Sequence, residues 1–300
     1  MNTKATNNVP RITGLLVLEV RKSNPNGDPE RESSPRQRPD AKGEISPVSV
    51  KRKLRDLVLE KEGIVWQQVK PKLRIQEDQR FQILEDRNIQ RSAITKQLKE
   101  DFEGFKAAFW DARLFGNTFL EEKGPDTIRA GVAHFGVGVS VAPIEIEFST
   151  WTKKAPAEEG KTRGMAPMAF RVVKHGLYTV PFFVNPSLAH KTGCDELDVK
   201  LMLELLPLAY AHTRSVIRTM VEVVHVNVFT HANPLGSLSD FSLLDALTPR
   251  KKTEPDKPSD SVIDYVVPTW AEIKDLAVRA GAKKTFEQCG SYRDYALDGE

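Results

Sequence analysis

Four cations crowd the first turns of a predicted amphipathic helix at residues 48–61, namely Lys51, Arg52, Lys53 and Arg55. Cations near a helix N-terminus oppose the helix macrodipole, so local helix stability does not favour them there. Clustered lysines and arginines are, however, well suited to the phosphates of a nucleic acid. The cluster therefore predicts a polyanion-binding helix, and the alternative is an ordinary solvated helix face.

A dense turn, Asn24-Pro25-Asn26-Gly27-Asp28, precedes this helix in the chain. Asn-Gly favours positive φ, and such turns can present backbone N–H groups to an anion. The alternative is a turn with no binding role. Asp28 could position a metal or help to activate a 2′-hydroxyl, but no His–carboxylate cluster accompanies it in the sequence.

Composition limits the other possibilities. The 300 residues carry 44 basic and 41 acidic side chains, a net charge of +3, so a nucleic-acid site must concentrate its charge on one face. Cys194 and Cys289 lack a CxxC partner, and the histidines show no metal-ligand spacing, so we predict no metal and no cofactor. The cysteine usage fits the cytoplasm, and the absence of any run of about 18 apolar residues excludes a membrane-spanning segment.

The periodicity of apolar residues predicts an α+β protein. Strands are predicted at 12–20, 129–147, 178–185 and 223–230, and helices at 48–61 and 195–220, the second kinked by Pro207. The region 70–110 is charged and predicted to be mostly helical. This order suits a ferredoxin-like β-α-β-β-α-β core with large insertions.

Further positions have side chains suited to contact with a nucleic acid. The polar stretch 150–169 predicts a mobile hairpin or loop whose cations Lys153, Lys154 and Arg163 lie near Met165, an adaptable apolar side chain that can wedge beside a base. Arg113 and Arg171 can contact the RNA backbone or form surface salt bridges. Phe229 can stack on a base from a sheet face, but a packed core face is the favoured interpretation.

Several of these segments occur in the order of a known family. They are NPNGDP at 24–29, Pro35-Arg36, KRKLRD at 51–56, DARLFG at 111–116, HGLYTVPFFVNP at 175–186 and HVNVFTHANPLGS at 225–237. Together they resemble the Csd/Csh (DevR) branch of Cascade backbone proteins, which are RAMP-type proteins of type I CRISPR systems. The resemblance covers most of residues 12–247.

The resemblance implies a fold and a division of the chain. Residues 12–247 would form an RRM-like palm, with a helical finger insertion at about 66–110 and a thumb hairpin at about 149–170. Residues 1–11 would be a polar tail. Residues 248–300 match nothing in the family and are predicted to form a charged linker and a C-terminal helical extension.

The resemblance also implies a function. The chain would be a non-catalytic subunit that polymerises along guide RNA (crRNA) and presents it for pairing with target DNA, alongside other copies of itself and other Cascade subunits. The alternatives are a metal-dependent RNA-cleaving backbone that uses Asp28, and a free-standing RNA-binding module. The predicted RNA contacts are Asn24, Asn26, Gly27, Arg36, Lys51, Arg52, Lys53, Arg55, Arg113, Lys153, Lys154, Arg163, Met165 and Arg171.

Overall fold

The computed structural model describes residues 8–86, 90–116, 130–154, 165–275 and 285–297. Its strands are β1 (Ile12–Ser23), β2 (Gly27–Asp28), β3 (Ser34–Pro35), β4 (Lys42–Ile45), β5 (Ala133–Phe135), β6 (Gly138–Pro143), β7 (Ile146–Lys154), β8 (Met165–Val184), β9 (Val221–His231), β10 (Arg250–Lys251), β11 (Tyr265–Val266) and β12 (Gly290–Asp294). Its helices are α1 (Pro47–Leu59), α2 (Ile64–Lys72), α3 (Arg91–Glu100), α4 (Phe102–Ala108), α5 (Trp110–Phe115), α6 (Ala189–Thr192), α7 (Glu196–Leu205), α8 (Asp240–Leu247), α9 (Trp270–Lys274) and α10 (Phe286–Cys289).

The central strand β1 is apolar because both of its faces are covered. Leu16 and Leu18 point into a large core cluster that α1 and α7 also enter, whereas Leu15 and Val17 point into a second cluster on the opposite face. A strand buried on both faces shows a continuous apolar run in place of the usual alternation. This explains the continuous apolar run from Leu15 to Leu18 in β1.

The sheet topology confirms the predicted α+β, ferredoxin-like core. The strands run in the order β12-β9-β1-β8-β6-β4, and the pairs of β1 with β8 and β9 are antiparallel, as is that of β6 with β8. The four strands β9-β1-β8-β6, with α1 and α7 in the two crossovers, reproduce the β-α-β-β-α-β arrangement.

The segment predicted as one strand at 129–147 is divided between three. β5, β6 and β7 each pair with successive parts of the long strand β8. Gly136 interrupts the segment, since its N–H donates to the Pro181 carbonyl oxygen outside the regular ladder, and Pro143 ends β6. Proline cannot donate to a ladder, so it marks such a strand end.

The first helix confirms the prediction for residues 48–61. Ser46 caps α1 by accepting a hydrogen bond from the Ser49 N–H, and Pro47 occupies the first turn, where its missing N–H costs nothing. Val50, Leu54 and Val58 are fully buried along one face. Sequence periodicity thus located both the helix and its core-facing side.

The second predicted helix, 195–220, is wrong in its C-terminal half. α7 ends at Leu205, a single 3-10 turn covers Leu206–Leu208, and the chain then runs through turns to β9. Pro207 lacks the N–H that would continue the helix, so the chain breaks there where a kink was expected. Across the helices of the described ranges, none has the length and apolarity needed to cross a membrane.

The C-terminal region differs from the predicted linker and helical extension. β12 pairs with β9 and so adds a strand to the main sheet, beyond the predicted palm boundary at residue 247. Tyr265, Ile273 and Phe286 join the second core cluster and cover the sheet face opposite α1. Burial of this second face requires these residues, because β1 and β9 present apolar side chains to it.

The segment 149–170 contains two antiparallel arms. Residues 149–154 of β7 pair with residues 165–170 of β8, from Ser149 opposite Phe170 to Lys154 opposite Met165. The residues that join the two arms lie outside the described ranges. The hairpin geometry is that expected for the thumb, and its role as a thumb stays a prediction.

Candidate nucleic-acid interface

The turn at 24–28 lies against the start of α1. The Asn26 side-chain oxygen accepts a hydrogen bond of 2.6 Å from the Ser46 N–H, and the Arg36 N–H donates to the Asn26 carbonyl oxygen at 3.0 Å. A Cβ on Gly27 would lie 2.9 Å from the Ser33 carbonyl oxygen, so this position requires glycine. Asn26, Arg36 and the helix start therefore form one continuous surface.

Two expectations about this turn are wrong. Positive φ occurs at Lys22, Glu32 and Ser33 and not at Gly27, which is needed instead for close approach of the backbone. Asn24 is buried, where its amide nitrogen donates to the Ser33 carbonyl oxygen and its N–H to the Ile217 carbonyl oxygen. Neither group is available to an anion, because both are already hydrogen-bonded inside the protein.

Lys51 is the cation of the basic helix that is placed to bind an anion. Its ammonium lies 5.2 Å from the centroid of the Phe115 ring, and within the described residues no carboxylate forms an ion pair with it. Burial, and then the neighbouring Arg55 charge, lower the pKa of Lys51. The pKa of the nearby His134 is lowered by partial desolvation of its ring and then by the Lys51 charge. An anion bound here would relieve the repulsion between the Lys51 and Arg55 charges.

Arg52 and Arg36 are partly exposed but engaged. Arg52 pairs with Asp56 one turn along the helix and donates to the Glu85 carbonyl oxygen at 2.8 Å. Arg36 lies 3.8 Å from Asp28, and its buried Nε has no hydrogen-bond partner. Each keeps about a third of its side chain exposed, so a phosphate can compete for either guanidinium.

Asp28 is occupied by local contacts. Its carboxylate accepts a hydrogen bond from the Glu30 N–H at 3.2 Å and lies 3.8 Å from Arg36 and 4.0 Å from Arg31. Within the part of the chain that the structure describes, no group of three or more His, Cys, Asp or Glu residues has the geometry to hold a metal ion.

The structure corrects the prediction for Lys53 and Arg55, which are buried. The Lys53 ammonium donates to the Thr213 hydroxyl at 3.0 Å and lies 4.5 Å from the centroid of the Tyr210 ring. Arg55 forms a buried ion pair of 2.8 Å with Asp111. Both side chains point into the interior. A run of basic residues along a helix does not by itself show which of them face the core and which face solvent.

Arg113 is likewise buried, and its contacts leave nothing for RNA. Its Nε and Nη2 donate to the Asp198 carboxylate at 2.9 and 2.8 Å. Its remaining hydrogens donate to the carbonyl oxygens of Lys106, Ala107 and Arg80 at 2.6 to 2.9 Å. All five donors of the guanidinium are satisfied, so this arginine is a structural link between α5 and α7.

The predicted contacts on the hairpin are distributed differently. Arg171 is partly exposed and pairs with Glu32 at 2.7 Å, as the surface salt-bridge alternative anticipated. Lys153 and Lys154 lie in β7 opposite Ala166 and Met165. Arg163 lies outside the described residues.

Phe229 is part of the core, which agrees with the favoured interpretation. Its ring is fully buried in the second core cluster and lies 5.0 Å from the ring of Phe286. The C-terminal region covers the sheet face on which a base would have stacked.

Sequence reasoning missed the segment that supports the turn. The Arg218 guanidinium donates to the Asn24 carbonyl oxygen at 3.2 Å, and the Met220 N–H donates to the Ser23 hydroxyl at 2.9 Å. Residues 195–220 are predicted to form one helix, and that prediction does not bring Arg218 and Met220 close to the turn. The break at Pro207 was the available signal.

The comparisons with known proteins agree with this architecture. The family described as CRISPR-associated protein Cas7 matches residues 10–269. No curated protein matches the sequence.

Three solved structures match this chain. A chain of a "CRISPR RNA-guided surveillance complex, pre-nicking" has a TM-score of 0.51 and 16% identity, over 90% of this chain and 88% of its own. A chain of a "CRISPR RNA-guided surveillance complex" has a TM-score of 0.48 and 16% identity, over 90% of this chain and 83% of its own. A chain of the "Type III-B Cmr-beta bound to cognate target RNA" has a TM-score of 0.42 and 10% identity, over 74% of this chain and 61% of its own. The family match spans most of the sequence, and the chain therefore belongs to the Cas7 family of CRISPR-associated proteins.

Proposed function

We propose that this chain is a non-catalytic backbone subunit that binds guide RNA in a type I CRISPR surveillance complex of the Csd/Csh branch. The observation that carries the proposal is Lys51, a partly buried ammonium with no carboxylate partner in the described residues, on the helix that begins beside the Asn26 turn. Membership of the Cas7 family and the order of the sequence motifs support the same function.

The chemistry of this surface suits a sugar-phosphate backbone. Lys51, Arg36 and Arg52 supply charge for phosphates, which carry no base identity, so RNA of any sequence can be held. Sequence would be read by pairing between the bound RNA and target DNA, as in other RNA-guided systems. Other copies of the chain and other Cas subunits would be its protein partners.

The salt dependence of binding tests the proposal. A 20-nucleotide single-stranded RNA is titrated with wild type and with Lys51→Ala between low and physiological salt, and fluorescence anisotropy gives the affinity. Loss of one phosphate contact should reduce the slope of log K against log salt by about 0.7. The matched control is Lys200→Ala, since Lys200 is an exposed lysine on α7 that pairs with Glu196.

Two results would contradict the proposal. One is a wild-type protein that does not bind single-stranded RNA at low salt, and the other is a Lys51→Ala slope equal to that of wild type. The cleaving alternative is tested by incubating the guide-bound protein with labelled complementary RNA and Mg²⁺. We expect the RNA to stay intact, whereas regular cuts that disappear in Asp28→Ala would establish an enzyme.

A further inference from the structure

Lys53 is a buried cation whose charge has no ion-pair partner in the described part of the chain. Only 4% of the residue is exposed, and one of its three N–H groups donates to the Thr213 hydroxyl at 3.0 Å. The neighbouring carboxylate, Asp56, pairs with Arg52 instead. A buried charge is costly unless it is paired and hydrogen-bonded, so this ammonium needs an acceptor that the described residues do not supply.

A second cation lies beside Lys53. The Arg218 guanidinium donates through Nε to the Asn24 carbonyl oxygen at 3.2 Å, and within the described ranges no carboxylate forms an ion pair with it. Burial, and then the charge of Arg218, lower the pKa of Lys53 to about 8. The fold therefore brings two cations together although, in the residues that the structure describes, neither is neutralised by a carboxylate.

A phenolic hydroxyl completes this cluster. Tyr210 is 1% exposed, and its hydroxyl oxygen has no hydrogen-bond partner among the described residues. The Lys53 ammonium lies 4.5 Å from the centroid of the Tyr210 ring. Burial raises the pKa of Tyr210, whereas the nearby Arg218 charge lowers it. Buried polar groups are normally hydrogen-bonded, so an unpartnered hydroxyl beside two cations indicates an acceptor that the protein itself does not provide.

We propose that Lys53, Arg218 and Tyr210 bind a small inorganic oxyanion of the phosphate or sulfate class beside the turn at 24–28. All three groups donate hydrogen bonds, and an ion with several oxygens can accept from an ammonium, a hydroxyl and a forked guanidinium at once. The bound ion offsets the repulsion between the two cations and fixes the segment around Arg218 against the turn. Its binding does not depend on RNA.

Burial favours a free ion over a phosphate of RNA. Lys53 and Tyr210 lie in the interior, where a phosphate that belongs to a polymer cannot follow without its sugars. Thr213 and Arg218 are half-buried, so the cluster extends to the surface, where a small ion can enter.

Thermal unfolding of the full-length protein tests the site. Sulfate replaces chloride at constant ionic strength up to about 20 mM, and the midpoint temperature should rise by about 4 °C, following the logarithm of the sulfate concentration. Tyr210→Phe keeps the ring but removes one donor, so about tenfold more sulfate should be needed for the same rise. Lys53→Met should abolish the rise. The matched control is Lys200→Met, which replaces an exposed lysine paired with Glu196 and should behave as wild type.

The effect of sulfate should also depend on pH. Because the pKa of Lys53 is about 8, the ammonium loses its proton between about pH 7 and 9.5, and the rise in midpoint temperature should shrink over this range. The other groups that face the site do not titrate there. Arg218 and the Asp56 carboxylate keep their charges, and burial, which raises the pKa of Tyr210, keeps its hydroxyl neutral.

Three results would overturn the proposal. The first is an unchanged midpoint temperature up to about 20 mM sulfate, which would leave a water molecule as the acceptor. The second is an equal rise in wild type and Lys53→Met, which would indicate the general stabilising effect of sulfate on proteins. The third is sulfate that weakens RNA binding by wild type but not by Lys53→Met at constant ionic strength, which would assign the site to an RNA phosphate.

Discussion

Arg113 and Lys51 carry the same charge but occupy opposite environments. Every donor of Arg113 is satisfied within the protein, whereas the described residues provide no carboxylate partner for Lys51. A buried charge that loses its partners is costly, and a partly exposed one can exchange them for a ligand. The binding capacity of an arginine or lysine in this protein is therefore decided by its partners.

Arg113→Lys should destabilise the protein without removing an RNA contact. Lysine keeps the charge but cannot reproduce the planar five-donor geometry, so we expect the free energy of unfolding to fall by about 3 kcal/mol. Urea unfolding measures this, and Arg52→Lys, on the exposed pair with Asp56, should change it by less than about 0.5 kcal/mol. A stable Arg113→Lys variant with weakened RNA binding would restore the original prediction for this residue.

Lys53 makes stability depend on pH. Burial, and then the charge of Arg218, lower the pKa of Lys53 from 10.5 to about 8. Above pH 8 the folded protein releases this proton while the unfolded chain keeps it, so the contribution of Lys53 to stability rises with pH up to about 10.5, by about 1 kcal/mol per pH unit.

Lys53→Met should remove this dependence. We expect the variant to be more stable than wild type at pH 7 by about 2 kcal/mol, and the difference to shrink as the pH approaches 10. Urea unfolding between pH 7 and 9.5 provides the comparison, with the exposed Lys200→Met as control. A difference that stays constant across this range would refute the assignment of a low pKa to Lys53.

At the scale of elements, α1 combines two tasks. Its apolar row packs into the core, and its cations divide between the interior, where Arg55 pairs with Asp111, and the surface, where Lys51 is accessible. The turn at 24–28 contacts the start of this helix through Asn26. The segment around Arg218 contacts the same turn through the Asn24 carbonyl oxygen. The candidate interface is thus a junction of three elements that are distant in sequence.

The edge strand β12 depends on one carboxylate. Asp294 accepts hydrogen bonds from the Val226 N–H at 2.9 Å and the Ala296 N–H at 3.0 Å, and contacts His225 at 2.7 Å. Asp294→Ala leaves buried donors unpaired, which costs about 2 kcal/mol.

We expect the loss to be local. Hydrogen exchange should show faster exchange in β12 and in the facing part of β9, whereas β1 and β8 in the sheet centre should keep their protection. Ser291→Ala, an exposed position on the same strand, is the matched control. Equal loss of protection throughout the sheet would show that β12 unfolds only with the whole domain.

At the scale of the whole molecule, the small net charge limits how RNA can be bound. A net charge of +3 in 300 residues cannot attract RNA to every face, so we expect binding to follow local concentrations of cations such as Lys51 and Arg36. Identical subunits in a head-to-tail contact form an open array when the rotation between neighbours does not close a ring, and we expect that case here. Such an array matches a linear guide RNA.

The number of bound copies should therefore rise with RNA length. We expect single-stranded RNAs of increasing length to give complexes whose mass grows by one subunit per added site, measured by analytical ultracentrifugation, with RNA-free protein as control. One copy on every RNA, whatever its length, would support the free-standing RNA-binding module instead.

The sequence by itself determined the class of fold, the presence and position of α1, and the family. These follow from local signals: apolar periodicity and short motifs in a fixed order. It did not determine the end of α7 or the strand β12, because a single proline and a short polar strand are weak local signals. The end of α7 and the pairing of β12 depend on how the rest of the chain packs against the two faces of the sheet.

Only the tertiary structure decided which basic residues can bind a ligand. Lys51 and Arg55 are one helical turn apart, yet Arg55 is neutralised by Asp111, 56 residues away, and Arg113 by Asp198, 85 residues away. Helical spacing shows which side chains share a face but not what packs against that face. The charge available for RNA is set by these long-range pairs, which no local pattern of residues reveals.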